Sequence, residues 1–174
     1  MIDRYARPLA VAALCALVVG LAVPGSAQDW SHHGGDEGGR RFVEASEITP
    51  ANVNRLTRAW VYRTGHANAP SEAFENSKFQ ATPILAEGRL ALCTPFNVMI
   101  ALDPGTGREL WRYDPAIDMS QDAGNDFNCR GVAYWRDASA APEAACSARL
   151  FMGTNDHRLV AVDLASGPRL PRSS

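Results

Sequence analysis

After residue 27, hydrophobic and polar positions alternate in short strokes along this chain, and no long apolar face of helical period appears. The clearest pattern occupies residues 90–111. Two apolar runs, 90–93 and 98–102, are separated by Thr94-Pro95-Phe96-Asn97. An Asp103-Pro104-Gly105-Thr106-Gly107 turn follows, then a returning strand led by Leu110-Trp111. Short apolar runs punctuated by Pro, Asn and Gly predict an antiparallel meander. The pattern recurs at an offset of 60, where Leu90, Thr94, Ala101, Asp103, Gly107 and Leu110 fall on Leu150, Thr154, Ala161, Asp163, Gly167 and Leu170. Trp60-Val61-Tyr62 is an earlier echo of Trp111-Arg112-Tyr113. Four short strands repeated about every 40–50 residues are the signature of a β-propeller.

Other segments fit the same class. Residues 58–64 read as a strand, with Ala59 and Val61 alternating against Trp60 and Tyr62. Residues 79–85 have strand character interrupted at Pro83, which suits an edge or a strand start. Residues 130–135 read as a strand and 150–162 as the repeated hairpin, while 66–78, 114–128 and 136–148 are polar, turn-rich loops. Thr49 and Pro50 suit the N-cap and first position of a single helical turn that places Ile48, Val53 and Leu56 on one face. Residues 28–41 carry four glycines and no hydrophobic period, as befits an irregular segment that faces a ligand or seals a blade. No amphipathic helix exceeds about two turns. The predicted class is all-β.

Composition adds a compartment. Arg4 and Arg7 precede a nearly unbroken apolar stretch over 9–23, and Pro24-Gly25-Ser26-Ala27 offers small residues for cleavage before Gln28. Residues 1–27 are therefore expected to be a secretory signal peptide, the alternative of a retained anchor being disfavoured by the short apolar core. Loss of Asp3, Arg4 and Arg7 would move the formal charge from −2 to −3. No Lys/Arg cluster of the kind that binds phosphate backbones is present, so nucleic acid is excluded as a partner.

Cys15 would leave with the signal, so Cys93, Cys129 and Cys146 would share an oxidising compartment as one disulfide and one free thiol. The expected pair is Cys129 with Cys146, closing a loop over 136–145, although spacing leaves Cys93 with Cys129 open. The tandem His32-His33 lacks a spaced third ligand and reads as a solvated loop. Asp118, Asp122 and Asp126 lack the alternate oxygens of a calcium loop and read the same way. Neither a nucleophile elbow nor a Gly-rich phosphate loop is present.

Several segments in order carry a family resemblance: Trp30 to Arg41 with its Gly-Gly-Asp, Ile48-Thr49-Pro50-Ala51-Asn52-Val53, and Ala59-Trp60-Val61-Tyr62-Arg63-Thr64-Gly65. Ala81-Thr82-Pro83, Cys93-Thr94-Pro95, residues 101–111, Cys129-Arg130-Gly131-Val132-Ala133-Tyr134 and Thr154-Asn155-Asp156 continue it. Together they resemble the quinoprotein dehydrogenases, which use pyrroloquinoline quinone (PQQ), in the membrane-associated glucose/quinate/shikimate branch. The resemblance implies an eight-bladed propeller locked by tryptophan-docking motifs. Ala101, Asp103, Thr106, Gly107 and Trp111 form one intact copy, with Gly107 permitting the tight turn and Trp111 offering its face to the next blade. The second copy has Ser166 for the Thr and Pro171 where a docking Trp would fall.

By the same resemblance, Arg130 would reach an anionic part of PQQ, a planar cation suiting its carboxylates and quinone oxygens. Gln80 stands where the family usually places a Glu near the quinone, and Phe96 where the glucose branch often has His. The family's catalytic Asp, calcium ligands and quinone-contacting Lys would lie in other blades. The expectation is thus about two blades of a truncated periplasmic dehydrogenase, with the membrane periphery open to it, inactive alone. Its parent would oxidise a sugar, polyol or alcohol and pass electrons to a quinone or cytochrome acceptor. The rival expectations are a non-catalytic propeller-repeat module, serving assembly or as a scaffold, and a non-functional truncated product.

Overall fold

The computed structural model describes residues 29–120 and 126–168. The expected signal peptide, Asp122 and the final docking position at Pro171 lie outside the described residues. The described residues form nine strands in three sheets, with a single short α-helix among them, α1 (Ser71–Glu75). In order these strands are β1 (Ser77–Lys78), β2 (Ile84–Ala86), β3 (Arg89–Cys93), β4 (Met99–Leu102), β5 (Glu109–Tyr113), β6 (Phe127–Asn128), β7 (Ala133–Arg136), β8 (Ala148–Gly153) and β9 (Leu159–Asp163). An antiparallel β2-β3-β4-β5 sheet and an antiparallel β7-β8-β9 sheet are the two blade-like units. The short parallel β1-β6 pair joins them. This is an all-β partial propeller.

The first sheet is buried on both sides because β3 and β4 are apolar at every position from Leu90 to Cys93 and Met99 to Leu102. Successive side chains point to opposite faces. Ala91, Cys93, Met99 and Ala101 join Trp111, the second sheet's Leu150, Met152 and Val162, and Leu164 just after β9 in the main core. Leu92, Ile100 and Leu102 pack on the other face under Trp60 and Tyr62. The extended segment 58–64 keeps the predicted alternation, Trp60 and Tyr62 being half-buried between exposed neighbours. It joins no ladder among the described residues, so its expected strand is corrected to a covering segment. Loop 66–78 is likewise corrected: it contains α1 and β1. The expected turn at Thr49 closes three residues later as a 3₁₀ turn (Val53–Arg55) preceded by Asn52, and Ile48, Val53 and Leu56 stay exposed.

Two repeated devices hold the sheets. After β4, the Asp103 carboxylate accepts from the Thr106 N–H at 2.8 Å and the Thr106 hydroxyl at 2.9 Å, while Gly107 N–H donates to the Asp103 carbonyl at 2.8 Å. After β9, Asp163 accepts from Ser166 N–H and Oγ, both at 2.8 Å, and Gly167 N–H returns to the Asp163 carbonyl. Ser166 thus makes the contacts of Thr106. Both glycines have positive φ, 71° and 70°. Each also lies under an indole: a Cβ on Gly107 would come within 2.5 Å of Trp60, and one on Gly167 within 2.8 Å of Trp111. Trp60 Nε1–H donates to Pro104 O and Trp111 Nε1–H to Leu164 O, each at 3.0 Å.

The second device is the turn between the middle strands. Thr94 N–H donates to Val98 O, and Val98 N–H to Thr94 Oγ1. Thr154 and Arg158 repeat both bonds, with Asn97 and His157 in the left-handed region at equivalent places. The two turns are linked, since Asn155 N–H donates to Asn97 Oδ1 at 2.8 Å and Asn155 Nδ2 to Pro95 O at 3.0 Å.

Candidate functional site

The candidate site is built where residues 76–82 and 126–130 run side by side. Phe127 N–H donates to Asn76 O at 2.9 Å, Ser77 and Lys78 pair with Phe127 and Asn128, and Thr82 N–H donates to Arg130 O at 2.9 Å. Lys78 also pairs with Asp126. This parallel course sets Gln80 and Arg130, fifty positions apart in sequence, on adjacent segments. Asn128 Nδ2 donates to Gln80 Oε1 at 2.8 Å. Gln80 Nε2 and the Arg130 guanidinium have no partner among the described residues, and both side chains are exposed. Asn128 Oδ1 is buried and unpartnered.

Beside this strip lies an aromatic cluster that the sequence did not reveal. His66 stacks on Phe96 at 5.1 Å between ring centroids and touches Phe74 at 5.2 Å and Phe79 at 5.6 Å; Phe96 also meets Phe127 at 5.5 Å. Burial pushes the His66 imidazole below its ordinary range. Its bonds agree with a neutral ring. The Ser77 hydroxyl gives its hydrogen to Phe74 O, so His66 Nε2 is the protonated nitrogen facing Ser77 Oγ, and Nδ1 is a buried acceptor without a partner.

The disulfide differs from the expected one. Cys93 bonds Cys129 across 6.1 Å between Cα atoms, and Cys146 is free. The reason is the length of β8. Cys129 Sγ lies 3.6 Å from Met152 Sδ, near the end of that strand, whereas Cys146 precedes its start, and its N–H donates to Asp163 Oδ2. Four residues of strand, at about 3.3 Å each, already exceed the reach of a disulfide.

Among the remaining polar candidates, His32, Asp118 and Asp126 make local contacts. His32 accepts or donates to Ser31 Oγ and its backbone bridges Gly35. Trp30 forms a two-bond bridge to Leu85, which seals the outer side of β2. Asp118 caps the following Ser120, and Asp126 pairs with Lys78. Among the described residues no group of three His, Cys, Asp or Glu side chains could hold a metal ion.

Paired blade-like sheets, docked tryptophans and a strip of unpartnered donors define a propeller that can offer cations and amides to an anionic ligand. Residues 30–172 match the family described as glucose/ethanol/alcohol dehydrogenase, beta-propeller domain (PQQ). The chain belongs to this family. It is 36% identical over 148 residues to quinoprotein glucose dehydrogenase of Escherichia coli (strain K12), covering 83% of this chain and 18% of that one. It is 35% identical over 156 residues to quinate/shikimate dehydrogenase (quinone) of Acinetobacter baylyi, covering 81% and 18%. Among solved structures, quinohemoprotein alcohol dehydrogenase from Comamonas testosteroni superposes with a TM-score of 0.62 at 30% identity, over 80% of this chain and 18% of that one. The chain spans about a fifth of the length of such relatives.

Proposed function

We propose that residues 28–174 supply one side of the PQQ site of an exported dehydrogenase, with Arg130 and Gln80 as its contacts to the quinone. The observation that carries the reading is the strip itself: an exposed guanidinium and an exposed amide N–H, both without partners among the described residues, held by the same pair of backbone segments. Such donors suit PQQ, whose carboxylates and quinone oxygens are all acceptors. When bound, the quinone would accept a hydride equivalent from an alcohol carbon. The part played by this chain is to bind and orient. Arg130 would fix a carboxylate or polarise a quinone oxygen, Gln80 would donate one amide N–H, and the Asn128 bond would hold Gln80 in place. The family's calcium ligands and general base are expected from other blades, so these residues alone would not turn over a sugar, polyol or alcohol.

Export through residues 1–27 to the periplasm, with electrons passing to a membrane quinone or a cytochrome, completes the proposal. The buried Cys93–Cys129 disulfide supports an oxidising compartment. The test is a spectroscopic titration of the purified chain with PQQ. Losing one charge-assisted contact of about 1.5–3 kcal/mol should weaken binding roughly 10- to 150-fold in Arg130→Ala, and Gln80→Ala should weaken it less. Equal affinity of wild type and Arg130→Ala would overturn the assignment.

A further inference from the structure

We propose that the Cys93–Cys129 disulfide is the positioning element of this site, fixing where Arg130 stands relative to Gln80. The inference rests on the reading that Arg130 and Gln80 meet the cofactor. Cys129 is the residue next to Arg130, and its segment is lightly held. Two ladder pairs, the Phe127–Asn76 bond, the exposed Lys78–Asp126 ion pair and the Asn128 side chain hold it before the cysteine, and the Thr82–Arg130 backbone bond holds it after, until the β7 ladder begins at Ala133. The disulfide adds a rigid attachment at the point where those contacts thin out. Cys93 is fully buried as the last residue of β3, in the middle of the first sheet and one residue before the Thr94 turn. The Cys129 sulfur also packs on Met152 of the second sheet, so one side chain registers the Arg130 segment against both sheets.

The placement gives the bond a specific consequence. Without it, Arg130 O and Thr82 N–H are joined only by a hydrogen bond at the edge of a two-residue ladder, and such local contacts open easily. The guanidinium would then sample positions away from Gln80, and cofactor binding would bear the cost of re-ordering it. No redox step is involved. With both cysteines buried, at 0% and 6% exposure, the bond is a permanent brace.

The experiment uses the whole chain and two readouts. In Cys93→Ala/Cys129→Ala, exchange of the Thr82 amide should accelerate at least about tenfold, while the Thr106 and Ser166 amides of the Asp-capped turns stay as they are. PQQ affinity should fall about tenfold from wild type, yet less than about twofold when the same pair is made in Arg130→Ala, because the brace acts through Arg130. Unchanged Thr82 exchange, or an equal loss of affinity in both backgrounds, overturns the proposal. If wild type itself fails to bind PQQ, the cofactor reading fails and Thr82 exchange still decides the brace. Cys93→Val/Cys129→Ala restores core volume. Failure of both pairs to fold, seen as loss of the Trp111 environment, would make the bond a requirement of the fold and likewise overturn a positioning role.

Discussion

Trp60 and Trp111 make the same contact in different surroundings. Each lies over a glycine in a left-handed turn and donates its indole N–H to a carbonyl at 3.0 Å. Trp111, however, is a β5 residue paired with Ala101, 9% exposed and packed among residues of both sheets. Trp60 is half-exposed on a segment without a ladder. The local motif therefore specifies how the indole docks, and burial decides how much stability the docking supplies. Trp111 should be a keystone between sheets and Trp60 a cover.

Alanine at the two tryptophans should expose that difference most strongly. Trp111→Ala is expected to cost about 3–5 kcal/mol, as for a buried aromatic, against about 1–2 kcal/mol for Trp60→Ala with its smaller buried area, both read from urea unfolding. Equal losses would break the comparison. The glycines should follow with a smaller effect. A methyl group at 167 must both adopt φ +70° and displace the Trp111 indole, so Gly167→Ala should cost about 2–4 kcal/mol. Gly107→Ala meets the same strain, but the half-exposed Trp60 can swing away, and its cost should be lower.

The turn aspartates should give the smallest difference, and a pH-dependent one. Burial pushes the Asp163 carboxyl up, but hydrogen bonds from Ser166, Cys146 and Ala165 outweigh it and hold it below the ordinary carboxylate range. Hydrogen bonds from the Thr106 hydroxyl and N–H lower Asp103. Both depressed groups stabilise the folded chain above the unfolded value of about 3.9, and that contribution disappears as pH falls through the native values. Asp163→Asn should therefore be less stable than wild type at neutral pH, with the gap closing below about pH 4. Asp103→Asn, in an exposed turn, should show a smaller gap. A gap for Asp163→Asn that stayed constant from pH 7 to pH 3 would refute the charge-based account.

Features set by neighbouring residues were legible in the sequence. Asp103 to Gly107 and Asp163 to Gly167 specify their own turns through side-chain bonds that reach only three residues, so the repeat could be read without knowing the fold. The resemblance singled out Gln80 and Arg130, and the fold sets them on adjacent segments. Features set by chain crossing were hidden. The disulfide depends on which end of β8 Cys129 reaches, and spacing says nothing about that. Asn128 becomes notable only once Gln80, 48 positions away, lies beside it. The His66 cluster gathers five rings from three separated segments. Alternation over 58–64 correctly gave the faces of Trp60 and Tyr62, but alternation cannot tell a paired strand from an extended cover.

The most direct test of the functional claim is an amide chemical-shift map of the chain titrated with PQQ. Shifts concentrated at residues 80–82 and 128–131, and absent from the Asp103 and Asp163 turns, are the predicted result. No saturable shifts, or shifts centred on the β8–β9 sheet away from Arg130, would contradict the account.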